Sequence, residues 1–299
     1  MLAKAATLPA DEVFFDLEDS VVPDQKEEAR ANVIAALRAS DLGDRQLGVR
    51  VNPPSTEWFE SDVLEVAAAA EGRLDFVMLP KAERATDVRM TAHLLGRAED
   101  QAGLDREIGI EIQIETASGL ARVEEIAEAS SRAQTLVFGP ADMSASLGMP
   151  ALTAGLPQPG YPGDHWHHVL MRILVAARVA GLQAIDGPYL VVADLEGLRE
   201  SALRSRALGY DGKWAVHPSQ VDVLNEVYSP SREEYEKAAA MIGAHERAGR
   251  EGKGASMFGA EMIDEASRKM AEVIVARGRA AGLARGSSDR EDGSGSDDA

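Results

Sequence analysis

The chain has 299 residues, 45% of them hydrophobic, so it can bury a substantial core as one α/β barrel or as two smaller domains. It contains no cysteine, which excludes disulfides, thiolate metal sites and cysteine nucleophiles. The formal charge of −19 argues against nucleic acid as a partner, and no apolar run is long enough to cross a bilayer, so we expect a cytoplasmic protein that acts on small molecules.

Short β-branched or aromatic runs alternate with longer Ala-, Leu-, Glu- and Arg-rich runs of helical period. This alternation is typical of repeated βα units around a parallel sheet. The seven predicted strands lie near residues 12–17, 47–52, 75–80, 108–114, 135–138, 183–186 and 211–216. The predicted helices lie near residues 24–40, 57–70, 84–101, 117–130, 165–180, 194–208 and 219–227, with two more near 232–248 and 264–281.

These elements predict a (β/α)8 barrel over residues 1–230. Such a barrel needs eight strands, whereas here a helix-like segment, residues 1–8, precedes the first predicted strand. We expect the missing first strand to lie upstream of Met1; irregular closure and an open doubly wound sheet are the alternatives. Residues 231–285 are predicted to form a helical extension and lid, and the acidic, Gly/Ser-rich residues 286–299 to be disordered.

Ionisable residues recur at the carboxyl ends of the predicted strands, where parallel α/β folds place their working residues. Any one of them alone is more often a solvated or ion-paired loop charge. Their common placement predicts a functional site at this rim. They are Asp16, Glu18, Asp19, Arg50, Lys81, Glu115, Asp142, Asp186 and His217.

Glu115 and Asp142 are the candidate metal ligands. Two carboxylates from adjacent strands supply hard oxygen ligands and leave the rest of an octahedron to water and substrate, the arrangement that Mg²⁺ prefers. Gly139 and Pro140 precede Asp142, as a tight turn approaching a ligand requires. The His-rich segment 164–168 looks like a metal site, but its histidines fall on different faces of a helix start, so we expect no metal there.

Arg50 is a cation inside the apolar run 49–52, where burial requires an anionic partner. That anion is either a substrate carboxylate or one of the three acids among residues 16–19, and the sequence leaves both open. We expect Asp16, Glu18 and Asp19 to surround and orient the metal ligands. A charge cluster at a helix N-terminus is the alternative.

Segments spread along the chain together resemble the HpcH/HpaI aldolase and citrate lyase β-subunit superfamily, in its malyl-CoA lyase-like branch. A collinear series of motifs is more specific than any one of them. The resemblance implies a (β/α)8 barrel, a homotrimer or homohexamer, and magnesium-dependent making or breaking of a carbon–carbon bond in a 2-hydroxyacyl-CoA such as malyl-CoA. The segments are residues 2–11, 15–21, 49–52, 79–81, 114–119, 138–142, 184–188, 212–220 and 252–264.

The resemblance also implies a role for individual residues. Glu115 and Asp142 would hold Mg²⁺, or Mn²⁺ in its place, and Arg50 would grip the 2-oxo acid. Asp264, on the C-terminal lid, would reach a neighbouring subunit's site and move the proton; without the resemblance it reads as a helix N-cap. The residues that would line the CoA or acyl side of the site are Lys4, Ala141, Asp142, Val216 and His217.

Two departures from the family pattern leave the acyl substrate open. Relatives carry a strand and CoA-binding loop upstream of the Lys4 segment, and residues 144–161 look shorter than in malyl-CoA lyases. The alternatives are a malyl-CoA thioesterase, a citramalyl-CoA or citryl-CoA lyase, a metal-dependent aldolase for free 2-oxo acids, and a non-catalytic scaffold.

Overall fold

The structure, a computed structural model, describes residues 7–39, 43–150, 153, 156 and 160–283. Lys4, most of the helix-like segment 1–8 and the predicted tail 286–299 lie outside the described residues. The chain divides into two compact units, Met1–Asn225 and Glu226–Ala299. Among the described helices, none is long and apolar enough to cross a membrane.

The first unit is built on a sheet of seven parallel strands that follow one another in chain order. The strands are β1 Glu12–Asp16, β2 Gln46–Arg50, β3 Phe76–Leu79, β4 Gly109–Ile114, β5 Ala133–Phe138, β6 Gln183–Asp186 and β7 Gly212–Lys213. Each strand pairs in parallel with the next, so all the connections are βα units and the predicted set of strands is confirmed. β7 is shorter than predicted, although the Trp214 N–H still donates to the Asp186 carbonyl at 2.9 Å.

At least one helix follows each strand of the sheet. They are α1 Lys26–Ala39, α2 Phe59–Ala69, α3 Ala85–Ala102, α4 Ala117–Ala121, α5 Val123–Ala127, α6 Pro140–Ser146, α7 His167–Ala180, α8 Leu195–Leu208 and α9 Val221–Tyr228. The prediction of one helix over 117–130 is wrong, because Arg122, with φ of −123° and ψ of 20°, leaves the helical conformation between α4 and α5. The short helix α6, which begins at Pro140 directly after β5, was not predicted.

The strand side chains that face inward form the barrel core. Phe76, Met78 and Val137 are buried there, and Phe14 and Trp214 pack against them. The rings of Phe14 and Trp214 meet edge to face, with centroids 5.0 Å apart. Because one ring lies on β1 and the other directly after β7, the sheet curves until its first and last described strands touch through side chains.

The second unit is formed by α10 Arg232–Arg250, a two-stranded antiparallel hairpin of β8 Ser256–Phe258 and β9 Glu261–Ile263, and α11 Glu265–Ala280. Ala238 on α10 packs against Ala271 and Val275 on α11. The two helices were predicted, but the hairpin was not, because each of its strands has only three residues, too few to show an alternating pattern.

A pair of carboxyl groups lies inside the barrel towards the amino ends of the strands. Glu111 on β4 is 2% exposed. Burial, and the charge of Glu12 on β1, raise the pKa of Glu111 well above its ordinary value of 4.5, against the lowering effect of a hydrogen bond with Thr135. Burial likewise raises the pKa of Glu12, although its hydrogen bond with Glu111 lowers it. Burial and the mutual repulsion of the two carboxyl groups therefore favour a proton on one of them.

This pair predicts a loss of stability with rising pH. The folded chain keeps a proton that the unfolded chain releases, so the contribution is fully present below pH 4.5 and is lost as pH rises through the raised pKa. Glu111→Gln should raise the free energy of unfolding more at pH 8 than at pH 5, because the neutral amide removes the cost of ionising a buried carboxyl group. Urea denaturation at pH 5 and at pH 8, with a chelator present to remove bound metal, measures this difference in the free energy of unfolding. Equal pH dependence in Glu111→Gln, parent and the exposed control Glu125→Gln would contradict the proton held by this pair.

Candidate active site

Arg50 lies almost fully buried at the end of β2. Its Nε and Nη2 donate to Oδ1 and Oδ2 of Asp16 at 2.8 and 2.7 Å, a bidentate pair. Burial raises the pKa of Asp16, but the hydrogen bonds with Arg50 outweigh it and bring that pKa below its ordinary value. The guanidinium stacks on Trp214 at 5.2 Å, and Nη1 forms an ion pair of 3.0 Å with Glu18 but no hydrogen bond within the described part of the chain. Arg50 thus has its anion within the chain, one of the two possibilities that the sequence left open.

Lys81 connects the acids that follow three different strands. Its backbone has a positive φ of 50°, a conformation that a non-glycine residue rarely adopts and that surrounding contacts must hold. The Lys81 N–H donates to Oε1 of Glu115 at 2.9 Å. Its ammonium pairs with Glu18 and lies 3.4 Å from Asp142 and 3.8 Å from Asp19. Burial opposes the charged form, but the hydrogen bond to Glu18 and the nearby carboxylates raise the pKa of Lys81.

Glu115 is fixed in place by its neighbours on β4 and β5. Gln113 donates to its Oε2 at 2.7 Å, and the two side chains lie on the same inward face of β4. Gly139 leaves the space that the carboxylate occupies: a Cβ there would lie 2.9 Å from Gln113 Nε2 and closer still to Glu115. Close packing against Glu115 therefore requires a glycine at position 139. The sequence analysis predicted a need for this glycine too, but attributed it to a tight turn.

The electrostatics of Glu115 and Asp142 fit a divalent cation. Glu115 is 1% exposed. Burial raises its pKa to about 8; the charge of Lys81 lowers it, and those of Asp142 and Glu18 add to the rise. Two neighbouring carboxylates, one of them buried with a pKa that stays raised despite Lys81, favour a shared cation. Among the described residues, no group of three or more His, Asp or Glu side chains is placed to hold a metal ion, so the protein would supply two carboxylates and leave the other positions to water and substrate.

Other candidate residues lie elsewhere on the fold. Asp186 pairs with Lys213 at 2.6 Å, both side chains buried. Since Ile185 and Trp214 face the barrel core, these two neighbours face the helices, and Asp186 is not part of the rim site. Ala141 lies in the first turn of α6 beside Asp142, and Val216 and His217 follow β7 at its carboxyl end. His217 Nδ1 lies 2.8 Å from Ser219 Oγ, so its ring also caps the turn at Pro218–Gln220.

Asp264 belongs to the second unit and caps α11. Its Oδ1 accepts hydrogen bonds from the Ser267 N–H and Oγ, each at 3.0 Å. Those bonds lower the pKa of Asp264. The helix-cap role is therefore present in the structure, and a role in proton transfer stays a prediction.

The comparison with known families agrees with the motifs. The family model for HpcH/HpaI aldolase/citrate lyase matches residues 1–218, well over half of the sequence. The chain belongs to the HpcH/HpaI aldolase/citrate lyase family. Family membership, predicted from collinear motifs, is thereby confirmed.

Relatives of this HpcH/HpaI family chain include enzymes of two activities. It is 41% identical to L-malyl-CoA/beta-methylmalyl-CoA lyase of Rhodobacter capsulatus, over 91% of this chain and 88% of that protein. It is 34% identical to (3S)-malyl-CoA thioesterase of Cereibacter sphaeroides, over 96% and 93%. The crystal structure of the protein CitE from Mycobacterium tuberculosis in complex with magnesium, acetoacetate and coenzyme A matches with a TM-score of 0.71 and 33% identity, covering 93% of this chain and 92% of that one.

Sequence reasoning missed two residues of this HpcH/HpaI family site: Gln113, which holds Glu115, and Trp214, which supports Arg50. It predicted Lys81 at the rim but not its role in connecting the acids. One signal was available: in Ile-Glu-Ile-Gln-Ile-Glu, residues 110–115, polar side chains occupy every second position of a buried strand. That alternation indicates a polar inner face and predicts Gln113 as a neighbour of Glu115.

The packing of Gly139 against Glu115 predicts a selective cost. Gly139→Ala should destabilise the chain by about 1–3 kcal/mol, the usual range for overpacking a close-fitting site. Gly96→Ala is the matched control, because its Cβ, on helix α3, would meet nothing nearer than 3.7 Å; it should be neutral or stabilising by up to about 1 kcal/mol. Chemical denaturation of both variants measures this. If Gly139→Ala is as stable as the control, the close approach of Glu115 is wrong.

Proposed function

We propose that this chain is a magnesium-dependent CoA-ester lyase that makes or cleaves a carbon–carbon bond in a malyl-CoA-like 2-hydroxyacyl-CoA. In the synthetic direction, glyoxylate would combine with acetyl-CoA or propionyl-CoA. The observation that carries the proposal is the connection of Arg50, Lys81, Glu115 and Asp142 at the carboxyl ends of the strands. The similarity to the Rhodobacter capsulatus lyase supports the substrate class. CoA-ester chemistry also fits the cytoplasmic location predicted from the sequence.

Glu115 and Asp142 would hold the Mg²⁺ ion. The raised pKa of Glu115 supports this, because a cation that binds there replaces a proton at neutral pH. The Mycobacterium tuberculosis relative was crystallised with magnesium. When bound, the ion supplies Lewis acidity that stabilises negative charge on the oxygen atoms of the 2-oxo acid.

Arg50 would bind the carboxylate or oxo oxygen of the substrate through Nη1. The bidentate pair with Asp16 fixes the plane of the guanidinium, and Trp214 supports its face. Nη1 lacks a hydrogen bond within the described residues, so it is the nitrogen that can donate to a ligand. Asp16, Glu18 and Asp19 then act indirectly, because they hold Arg50 and Lys81 in position.

Cleavage begins when a base takes the hydroxyl proton of the substrate. The carbon–carbon bond then breaks, its electron pair passes into the thioester as an enolate, and the enolate carbon takes up a proton. Asp264 of a neighbouring subunit is the proposed proton carrier, which requires a homo-oligomer such as the trimer or hexamer that the resemblance implies. In the structure its pKa is low because of Ser267. It would have to exchange those hydrogen bonds for the substrate in a water-excluding site, where desolvation raises a carboxyl pKa.

The CoA moiety would lie along residues that bracket the mouth of the barrel. Ala141 and Asp142 follow β5, and Val216 and His217 follow β7. Lys4 would add a cation there, although it lies outside the described residues. Such local donors are needed because the net charge of −19 opposes the approach of an anionic thioester.

A thioesterase is the second candidate, favoured by the similarity to the Cereibacter sphaeroides enzyme. It would use the same residues to direct water at the thioester carbonyl. The two activities differ in their products: a lyase releases glyoxylate and leaves CoA as acetyl-CoA, whereas a thioesterase releases malate and free CoA thiol.

The test incubates malyl-CoA with the full chain and Mg²⁺, traps glyoxylate with phenylhydrazine and measures free thiol separately. Glyoxylate should form without the release of a matching amount of free CoA thiol. Glu115→Gln and Asp142→Asn should each lower turnover by roughly a hundredfold or more, as does loss of a group that stabilises transition-state charge. Glu125→Gln, exposed on α5, is the control for a lost carboxylate. Thiol release in place of glyoxylate would establish the thioesterase instead, and full activity of both ligand variants at saturating Mg²⁺ would exclude the metal assignment.

Asp264 can be tested apart from its role as a helix cap. Asp264→Asn keeps a good N-cap side chain but cannot carry the proton, so stability should be retained and turnover lost. Ser231→Ala is the matched control: it removes the N-cap of α10, which should cost about 1 kcal/mol of stability and leave turnover intact.

Subunit exchange then tests whether the site is shared between chains. Mixing Asp264→Asn chains with Glu115→Gln chains should restore part of the activity, because some mixed sites combine an intact metal site with an intact aspartate. Normal turnover of Asp264→Asn, or no recovery after exchange has been verified by mass spectrometry, would leave Asp264 as a helix cap only.

A further inference from the structure

Lys81 places an ammonium group among the carboxyl groups that follow β1, β4 and β5. Its Nζ pairs with Glu18, and it lies 3.4 Å from Oδ2 of Asp142 and 3.8 Å from Oδ1 of Asp19. The charge of Glu115 acts on it as well. The chain therefore supplies a cation of its own close to both proposed metal ligands.

The ammonium group of Lys81 stays charged and keeps donors available. Burial opposes the charged form, but the hydrogen bond to Glu18 and the neighbouring carboxylates outweigh it and raise the pKa of Lys81 above its ordinary value of 10.5. A lysine ammonium has three N–H donors. Within the part of the chain that the structure describes, only Glu18 accepts a hydrogen bond from it, whereas Asp142 and Asp19 form ion pairs without one. Two donors therefore remain for a ligand.

The backbone and the side chain of Lys81 have separate tasks. The backbone N–H donates to Oε1 of Glu115 at 2.9 Å, a bond that any residue other than proline would keep. The side chain contributes charge and donors, and it is 28% exposed where its partner Glu18 is 5% exposed, so the ammonium reaches the mouth of the barrel. A substitution of this side chain therefore changes the charge at the metal ligands and leaves the backbone contact with Glu115 in place.

A cation this close to Asp142 opposes the binding of a second one. Like charges near one carboxylate repel each other, and the repulsion is stronger in a half-buried site than in bulk water, because less solvent lies between the charges. The side chain of Asp142 is 34% exposed, so it can exchange its ammonium partner for an ion without leaving a deeply buried charge behind. The ammonium group would then still be held by Glu18, with its free donors at the barrel mouth.

We propose that Lys81 competes with the divalent ion for Asp142 and, once displaced from that carboxylate, binds the anionic 2-oxo acid. The proposal rests on the proposed metal site and adds a regulation of it. Metal binding at Asp142 releases the donors that the substrate anion needs, so each ligand favours the other. Arg50, which Asp16 holds in position, supplies one cation to the substrate, and Lys81 supplies the second.

The competition is tested by titrating the full chain with Mn²⁺ and measuring the free ion by electron paramagnetic resonance. Lys81→Met and Lys81→Gln should each bind Mn²⁺ roughly tenfold more tightly than the parent, because a repelling charge is removed. Lys81→Arg keeps the charge and should stay within about threefold of the parent. Lys237→Met, exposed on α10 in the second unit, removes an equal charge and should match the parent. Equal or weaker Mn²⁺ binding by both neutral variants would overturn the proposal.

The substrate contact is tested by adding glyoxylate to the Mn²⁺-loaded proteins and following the relaxation of water protons by the bound ion. Lys81→Met should bind glyoxylate roughly tenfold more weakly than the parent although it binds Mn²⁺ more tightly. A purely structural role for Lys81 would weaken both ligands together. Glyoxylate affinity equal to that of the parent would overturn the substrate contact. Failure of the metal site itself shows separately: Glu115→Gln would then bind Mn²⁺ as tightly as the parent, which would overturn the metal assignment and this proposal with it.

Discussion

The site depends on the burial of charges at the mouth of the barrel. Arg50, Glu18 and Glu115 are 6%, 4% and 1% exposed, so each needs a partner that compensates for lost hydration. The chain meets this need with one connected network: Asp16 and Glu18 hold Arg50, Glu18 holds Lys81, and the backbone of Lys81 holds Glu115. Removal of one member would leave another charge buried without a partner. The network therefore fixes its members in position, which is the condition for binding a metal and a small anion in a defined arrangement.

The parallel fold explains how distant residues form this network. Every strand ends at the same edge of the sheet, so residues 16, 50, 81, 115 and 142 meet although the sequence separates them. Two local departures from regular geometry complete the fit. Lys81 adopts a left-handed backbone that directs its N–H at Glu115, and Gly139 omits the Cβ that would displace that carboxylate. Strain and close packing thus occur where the chemistry is proposed.

Because side chains alternate along each strand, the sheet has two chemically different faces, one towards the barrel core and one towards the helices. On the core side, polar residues approach the barrel mouth, and on the helix side Phe138 and the pair of Asp186 with Lys213 border a cavity. The proposed metal site and this cavity lie on opposite faces of the sheet, although Pro140, at the start of α6, lines the cavity and Asp142 follows on the same helix.

The sequence alone determined the strand order and the family, and it predicted Glu115 and Asp142 as metal ligands, because hydrophobic periodicity and collinear motifs are local properties of the chain. It left the partner of Arg50 open, counted Asp186 among the rim charges although its side chain faces the helices, and did not single out Gln113 or Trp214. Ion pairs and close approaches between strands depend on register and on which face each side chain takes, and a shift of one residue reverses that face. The structure decided that Arg50 pairs with Asp16, that Lys81 connects acids from three strands, and that the indole of Trp166 lines a cavity. Those outcomes depend on distances across the folded sheet, which no sequence pattern encodes.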